Sequence, residues 1–259
     1  MDSLATGNVV KLENIQKSYR LGKVEVPALR DVSLEIYQGD FIALAGASGS
    51  GKTTLLNLIG CIDKPTRGRL VLNGADVTET PLHKLASVRS RTLGYIFQTF
   101  NLLPVLTAFE NVEYPLLLSG MAKAQRNDRV WKWLEQVGLQ AQARQRPDQL
   151  SGGQRQRVAM ARAMVTEPKL VLADEPTANL DSETALEILD LLEQINRQTA
   201  TIFLFATHDP QIIERARRQV RLRDGQILSD QYSNYYTAEG NKELNPAVAA
   251  TACGRRFVQ

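Results

Sequence analysis

Residues 46–53 read GASGSGKT, a glycine-rich turn closed by a lysine and a threonine, and these residue types suit one kind of chemistry. Bare glycine backbone lets consecutive N–H groups curl around phosphate oxygens, a lysine ammonium reaches the β- and γ-phosphates, and a threonine hydroxyl faces a divalent cation. The pattern G-x-x-x-x-G-K-[ST] carries this meaning only between a strand and a helix. Here it follows the apolar run DFIALAG and precedes TLLNLIG, so the context is met. A purely structural glycine turn would have no use for Lys52 and Thr53. Gly46, Ala47, Ser48, Gly49, Ser50, Gly51, Lys52, Thr53 and Thr54 are therefore expected to cradle phosphate groups.

A second set of groups belongs to the same chemistry. LVLADE, residues 170–175, is an apolar strand ending in two acids, which places Asp174 where it can reach a Mg²⁺ ion near Thr53. Glu175, one residue on, is suited to orient or deprotonate a water. LSGGQRQRVAMARA, residues 150–163, runs a serine and two glycines straight into an apolar-periodic helix. The first N–H groups of a helix lack internal partners and the helix dipole favours negative charge, so this start could also receive an anion. One chain would then own two phosphate cradles.

The elements needed to position these groups are legible. DFIALAG (40–46), KLVLAD (169–174) and ATIFLFAT (200–207) are apolar, β-rich runs, each followed by a turn and a helix, which predicts an α/β sheet with helices on its faces. A helix starting at Asp181-Ser182 sets Ala185, Ile188, Leu189, Leu192 and Ile195 in one stripe that packs on the sheet. VVKLENIQKSYR and ALRDVSLEIYQGD alternate as antiparallel strands do. Between residues 99 and 150 the character turns helical, with Pro115 disturbing the first helix, which predicts an insertion in the α/β core. After about residue 230 periodicity is lost, and a loosely ordered tail over 231–259 is expected.

Composition adds bounds. The 259 residues carry 31 Lys and Arg against 28 Asp and Glu, a formal charge of +3, too small to argue for a nucleic-acid partner. The arginines of residues 215–223, RARRQVRLR, alternate with apolar residues as on an exposed strand. Two distant cysteines, Cys61 and Cys253, suggest neither a disulfide framework nor a zinc site, and fit a reducing compartment. MDSLATGNVV lacks the basic and apolar regions of a signal peptide. No apolar run is long enough to span a bilayer, so any spanning segment is expected on another polypeptide.

LSGGQ between the phosphate loop and LVLADE, together with Gln98, the NLD of residues 179–181 and His208 in ATHDP, resembles the nucleotide-binding domain of ATP-binding cassette (ABC) transporters over about residues 9–230. The resemblance implies an α/β fold, a P-loop NTPase cassette with a mixed sheet core, an antiparallel β subdomain and an inserted helical subdomain. It makes residues 1–230 one ATPase domain, hydrolysing ATP with Mg²⁺. It also answers the question of two cradles: Ser151, Gly152, Gly153 and Gln154 would face the ATP of a second copy in a head-to-tail dimer, with Ser151 and Gly153 on its γ-phosphate. Tyr19 would stack on adenine, Gln98 would contact Mg²⁺ or the attacking water and link the site to the insertion, Asp181 would communicate between the two sites, and His208 would hydrogen-bond the γ-phosphate. With Lys52 and Glu175, Gln98 and His208 complete the expected catalytic set; Thr53, Gln98 and Asp174 form the expected metal set. Ala178 stands where many relatives carry Gly and Ala47 where Pro is frequent, and neither change removes a catalytic group.

Longer stretches, including YRLGKVEVPALRDVSLEI, TLLNLIGCIDKPTRG and FQTFNLLPVLTAFENVEYPLL, are similar to ATPases of the macrolide-export and lipoprotein-release group, the MacB-like and LolD-like cassettes. That likeness implies an integral membrane permease subunit with few spanning helices and a large extracytoplasmic domain, and a peripheral position on the cytoplasmic face of the inner (plasma) membrane. ATP would drive export, lipoprotein release or extrusion by that subunit. Phe100, Leu102, Leu103, Val105 and Leu106 either pack inside the insertion or line a groove for a short cytoplasmic helix of the membrane subunit. A cell-division-type regulatory ATPase shares nearly the same cassette. Repair and chromosome-organising ATPases would need a long coiled coil or zinc modules that this chain lacks.

Overall fold

The computed structural model describes residues 8–22 and 24–233; the tail expected over 231–259 lies, beyond residue 233, outside the described residues. The chain begins with two long strands, β1 (Asn8–Leu21) and β2 (Val24–Tyr37), paired antiparallel. Strand β3 (Phe41–Ala45) then enters the interior, and the phosphate loop leads from it into helix α1 (Lys52–Ile59). Strands β4 (Arg67–Leu72) and β5 (Ala75–Asp76) return to the antiparallel layer, giving a four-stranded sheet ordered β2-β1-β4-β5. Helix α2 (Leu85–Thr92) feeds β6 (Leu93–Ile96).

Between β6 and the next strand lie helices α3 (Ala108–Leu118), α4 (Lys123–Gln136) and α5 (Gly152–Met164). Thr107 and Glu110 close a capping box at the start of α3, satisfying orphan amides from both sides. The helix continues through Pro115 to Leu118. Strand β7 (Leu170–Asp174), helix α6 (Ser182–Thr199), strand β8 (Ile202–Thr207), helix α7 (Pro210–Arg215) and strands β9 (Arg218–Arg223) and β10 (Gln226–Tyr232) complete the order. The second sheet runs β10-β9-β3-β8-β7-β6; every neighbouring pair is parallel except β9 with β10.

Period-2 alternation divides the side chains of the central strands between two cores. Ile42, Leu44, Leu170, Leu172, Ile202 and Leu204 face the layer holding α1 and the antiparallel sheet. Phe41, Val171, Ala173, Phe203 and Phe205 face the helices α3 to α6. Fully burying an aliphatic or aromatic side chain contributes about 1.5–3 kcal/mol, so both faces hold the sheet. The stripe expected on α6 is buried at Ala185, Ile188, Leu189, Leu192 and Ile195. Asn196 extends it as a buried polar group, its amide donating to the carbonyls of Gly39, Asp40 and Thr201.

The expectation of an exposed strand over residues 215–223 is corrected. Strand β9 lies inside the sheet between β3 and β10, and Arg218 is buried. Its guanidinium pairs with Asp40 at 3.0 Å and with Asp230 at 2.7 Å. A buried cation persists only when paired, and both partners come from distant parts of the chain, which local alternation does not reveal.

Candidate active site

Four parallel strands bring the site together. Ala45 of β3 pairs in register with Thr207 of β8, Ala206 with Asp174 of β7, and Ala173 with Ile96 of β6. The chain leaves each strand at the same edge, so Gly46, His208, Glu175 and Gln98 follow one another across the carboxyl ends, the edge where open α/β sheets bind ligands.

At the first of these exits the backbone winds tightly. Gly49 (φ +79°) and Gly51 (φ +106°) are left-handed, and a Cβ on Gly51 would meet the Ala28 carbonyl at 2.8 Å. Lys52 is only 8% exposed; its ammonium donates to the carbonyls of Gly46 at 2.7 Å and Ala47 at 3.0 Å, which folds the cation over the loop. No side chain caps α1, and the buried Ser50 hydroxyl has no hydrogen-bond partner. Uncapped amides, an orphaned hydroxyl and a buried ammonium in one loop fit a phosphate chain.

The metal-binding expectation fits as well. Thr53 Oγ1 faces Asp174 Oδ2 at 3.4 Å. Burial pushes the Asp174 carboxyl above the ordinary carboxylate value, the charge of Glu175 adds to this, and Thr53 and Lys52 oppose it. A divalent cation would relieve that strain on the ionised form. Among the described residues no cluster of three His, Cys, Asp or Glu side chains is set to hold a metal; a hydroxyl beside a single carboxylate suits Mg²⁺, which is habitually bound through one or two carboxylates with phosphate and water.

Glu175 adopts φ +45°, a sparsely populated conformation for a non-glycine residue that is held by its surroundings. Its amide donates to the Ala206 carbonyl at 2.9 Å. One carboxylate oxygen accepts from the Thr207 hydroxyl at 2.8 Å, and the other is 2.6 Å from His208 Nδ1. The imidazole is otherwise open, its side chain 74% exposed. Thr207 is a positioning partner missed in the sequence; its place directly before His208 in ATHDP was the available signal. A carboxylate steered by a hydroxyl and an imidazole, beside a phosphate loop, can orient a water for attack on phosphorus.

The remaining expected residues are placed as follows. Gln98 is exposed, and its carbonyl accepts from Asn179 Nδ2 at 2.7 Å. Asp181 caps α6, its carboxylate accepting from the Thr184 amide at 3.0 Å; that bond and its companions hold its pKa below the ordinary value. Tyr19 is exposed on β1, with its hydroxyl on Asp63. Ser151 and Gln154 form a capping box at α5: Ser151 Oγ accepts from the Gln154 amide at 3.2 Å and Gln154 Oε1 from the Ser151 amide at 2.9 Å. Gly152 and Gly153 abut Leu180 and Thr184. Among the described residues, no hydrogen bond joins this turn to the phosphate loop.

The apolar residues after Gln98 divide. Phe100 is buried beneath the Arg155 guanidinium, and Leu102 packs against the helical core. Leu103 and Val105 are exposed. The backbone carbonyls of Phe100 and Asn101 accept from Arg162 of α5, a link that the sequence did not reveal.

A mostly parallel sheet with a phosphate loop at its carboxyl edge, a paired Asp and Glu and an adjoining helical layer define an ATP-hydrolysing cassette of the P-loop class. Comparison with known proteins makes this specific. The sequence profile described as ABC transporter matches residues 29–178. The uncharacterized ABC transporter ATP-binding protein YvrO of Bacillus subtilis (strain 168) is 45% identical over 223 residues, 86% of this chain and 97% of that protein. The macrolide export ATP-binding/permease protein MacB of Syntrophobacter fumaroxidans (strain DSM 10017 / MPOB) is 46% identical over 222 residues, 85% of this chain but 31% of that protein. The solved dimeric, post-hydrolysis structure of the ATP-binding cassette MJ0796 bound to ADP and Pi superposes with a TM-score of 0.79 at 40% identity, covering 86% of this chain and 98% of that one. The chain belongs to the ABC transporter family, as an ATP-binding and ATP-hydrolysing subunit. Among the described residues no helix is long and apolar enough to cross a membrane.

Proposed function

We propose that this subunit closes as a head-to-tail dimer around two ATP molecules and thereby drives a separate membrane permease in export, lipoprotein release or extrusion. The observation that carries the reading is the Thr207–Glu175–His208 arrangement set against the Lys52 loop on one sheet edge. In this mechanism the loop amides and Lys52 hold the phosphates, while Tyr19 stacks on adenine. Thr53, Asp174 and Gln98 hold Mg²⁺, which when bound neutralises phosphate charge. Glu175 takes the proton of the attacking water. His208, fixed through Nδ1, turns its other nitrogen to the γ-phosphate.

The capped turn at Ser151, which shares no hydrogen bond with its own phosphate loop, supports its use across a dimer. Its serine oxygen already accepts a bond from Gln154, but the hydroxyl proton remains for a phosphate oxygen. Asp181, two residues beyond the Asn179 that reaches Gln98, ties the two sites together. ATP then favours the closed state by contacts that ADP lacks. Residues 1–230 act as the ATPase domain, with the helical insertion at about 99–150 meeting the permease through Leu103 and Val105. MacB carries its permease in the same polypeptide, which supports a membrane partner for this chain and a place on the cytoplasmic face of the inner membrane.

The test is Glu175→Gln. Turnover is expected to fall about 10²–10⁴-fold, the scale of a lost general base, while ATP binding persists and a dimer accumulates in size-exclusion chromatography with multi-angle light scattering. Normal turnover would remove Glu175 from the role. Co-purification of this variant from solubilised membranes with ATP identifies the permease; recovery with soluble proteins alone would overturn the transport partner.

A further inference from the structure

We propose that Asp63 and Lys17 are positioning residues that lock the Tyr19 ring for stacking on the nucleobase, so that this pair sets affinity for the base without touching the phosphates. The inference rests on the reading of Tyr19 given above and extends it to two residues outside the GASGSGKT, LSGGQ, LVLADE, NLD and ATHDP segments.

The geometry is a three-way clamp. Lys17 and Tyr19 stand two residues apart on β1, hence on one face of the strand. Asp63 follows α1, the helix that the phosphate loop opens. One Asp63 oxygen takes the Lys17 ammonium at 2.7 Å and the other takes the Tyr19 hydroxyl at 3.1 Å. The same ammonium donates to the Lys64 carbonyl at 2.8 Å and lies 4.9 Å from the centroid of the Tyr19 ring. The carboxylate is itself fixed by the Lys64 amide at 2.7 Å.

Backbone contacts reinforce the junction: Thr66 N donates to the Gln16 carbonyl at 2.8 Å and Ser18 N to Thr66 Oγ1 at 3.1 Å. The strand carrying Tyr19 is thus strapped to the segment leaving the phosphate-loop helix.

This arrangement does more than pack an aromatic ring. Lys17 keeps only 12% of its side chain exposed and Asp63 29%, whereas a lysine on an open β-surface would ordinarily extend into water. With its tip held by a carboxylate and one face covered by a cation, the ring loses its rotamer freedom. Tyr19 stays 38% exposed, surface that a planar base can cover. Removing the cost of ordering the ring at the moment of binding raises affinity without a new ligand contact. The phenol is protonated at neutral pH even at its ordinary pKa; desolvation raises that pKa further, against a hydrogen bond with Thr54, so the hydroxyl donates.

The experiment measures equilibrium binding of ATP and, separately, of tripolyphosphate, which has no base, to the full chain and to Tyr19→Ala, Asp63→Ala, Lys17→Met and the Tyr19→Ala/Asp63→Ala double variant. ATP affinity is expected to fall about tenfold in Tyr19→Ala, the scale of one base–aromatic stack. In Asp63→Ala and Lys17→Met it is expected to fall about three- to fivefold, the scale of one hydrogen bond or cation–π contact. Tripolyphosphate affinity stays at the wild-type level in these last two, and the double variant is no weaker than Tyr19→Ala.

Equal loss for ATP and tripolyphosphate in Asp63→Ala and Lys17→Met would overturn the proposal, because the pair would then support the phosphate loop. A full additional loss in the double variant would overturn it too. Wild-type ATP affinity in Tyr19→Ala would sink the stacking reading and the proposal together; a weakened Tyr19→Ala beside an unchanged Asp63→Ala and Lys17→Met would leave the stacking reading standing and sink the proposal alone. Lys17→Met leaves the Asp63 backbone contacts in place, so the test stays decisive if Asp63→Ala fails to fold.

Discussion

Two helices of this protein open on glycine-rich turns, and the two turns are built in opposite ways. At α1 the last loop residue is a left-handed glycine, no side chain caps the helix, and a buried lysine folds back over the loop. At α5 the chain supplies its own cap, Ser151 and Gln154 bonding to each other's amides. The first turn leaves its helix uncapped and the Ser50 hydroxyl without a partner. The second satisfies two of its leading amides, those of Ser151 and Gln154, and keeps a hydroxyl proton and the glycine backbone to offer. A glycine-rich helix start therefore does not define one kind of site: the uncapped turn with a cation beside it fits an anion on its own, and under the function proposed above the capped turn adds to a ligand held elsewhere.

The largest expected effect separates the two by function. Lys52→Ala should lower ATP affinity about a hundredfold, the scale of a buried charge-assisted contact. Ser151→Ala should leave ATP binding by the monomer unchanged in isothermal calorimetry while slowing steady-state hydrolysis and costing about 1 kcal/mol of stability through the lost cap. If Ser151→Ala weakened monomer binding as Lys52→Ala does, the two turns would serve one site and the contrast would collapse.

A middle-sized effect tests the charge difference. Asp174, beside the first turn, has its carboxyl pKa raised by burial and by Glu175. For a group whose folded pKa is raised, stability is present below the ordinary carboxylate pKa and lost as pH rises through the folded value. Asp174→Asn should therefore raise the melting temperature of the nucleotide-free protein at neutral pH by a few degrees. That gain should shrink as the pH is lowered toward the ordinary carboxylate range, and with Mg²⁺ and ATP the sign should reverse, because only the aspartate gains from the cation. Thermal melts at a series of pH values check both signs.

The smallest effect sharpens why each turn needs glycine. Gly51 is constrained by its left-handed backbone, but Gly153 is constrained by space, since a Cβ there would lie 2.5 Å from Thr184 Cγ2. Gly153→Ala should cost about 1–3 kcal/mol as overpacking, and Thr184→Ser, which deletes that methyl group, should recover most of it. Chemical denaturation of the two variants and their combination reads the rescue. Failure of Thr184→Ser to help would place the constraint elsewhere.

How much of this was legible depends on the range of the interactions involved. β3, β7 and β8 could be read from their apolar runs because a strand buried on both faces needs no partner information to be apolar, and the α6 stripe because helical period is local. The turn from Gly46 to Thr54, between β3 and α1, was legible for the same reason: order along the chain fixes what the backbone can wrap. RARRQVRLR misled because alternation reports a two-sided strand without saying what lies on each side; Asp40 and Asp230 made the Arg218 side an interior one.

By itself the sequence determined the chemistry available, the class of fold, and which helix starts could meet an anion, since these follow from residue type and short-range spacing. Tertiary structure alone decided which groups meet. It set His208 and Thr207 on Glu175, Arg162 on the loop after Gln98, and Asp63 between Lys17 and Tyr19. The physical reason is that each of these contacts joins segments tens of residues apart, and hydrogen bonds and ion pairs act over a few ångströms, a distance that exists only after sheet register and crossover connections have brought the strands side by side.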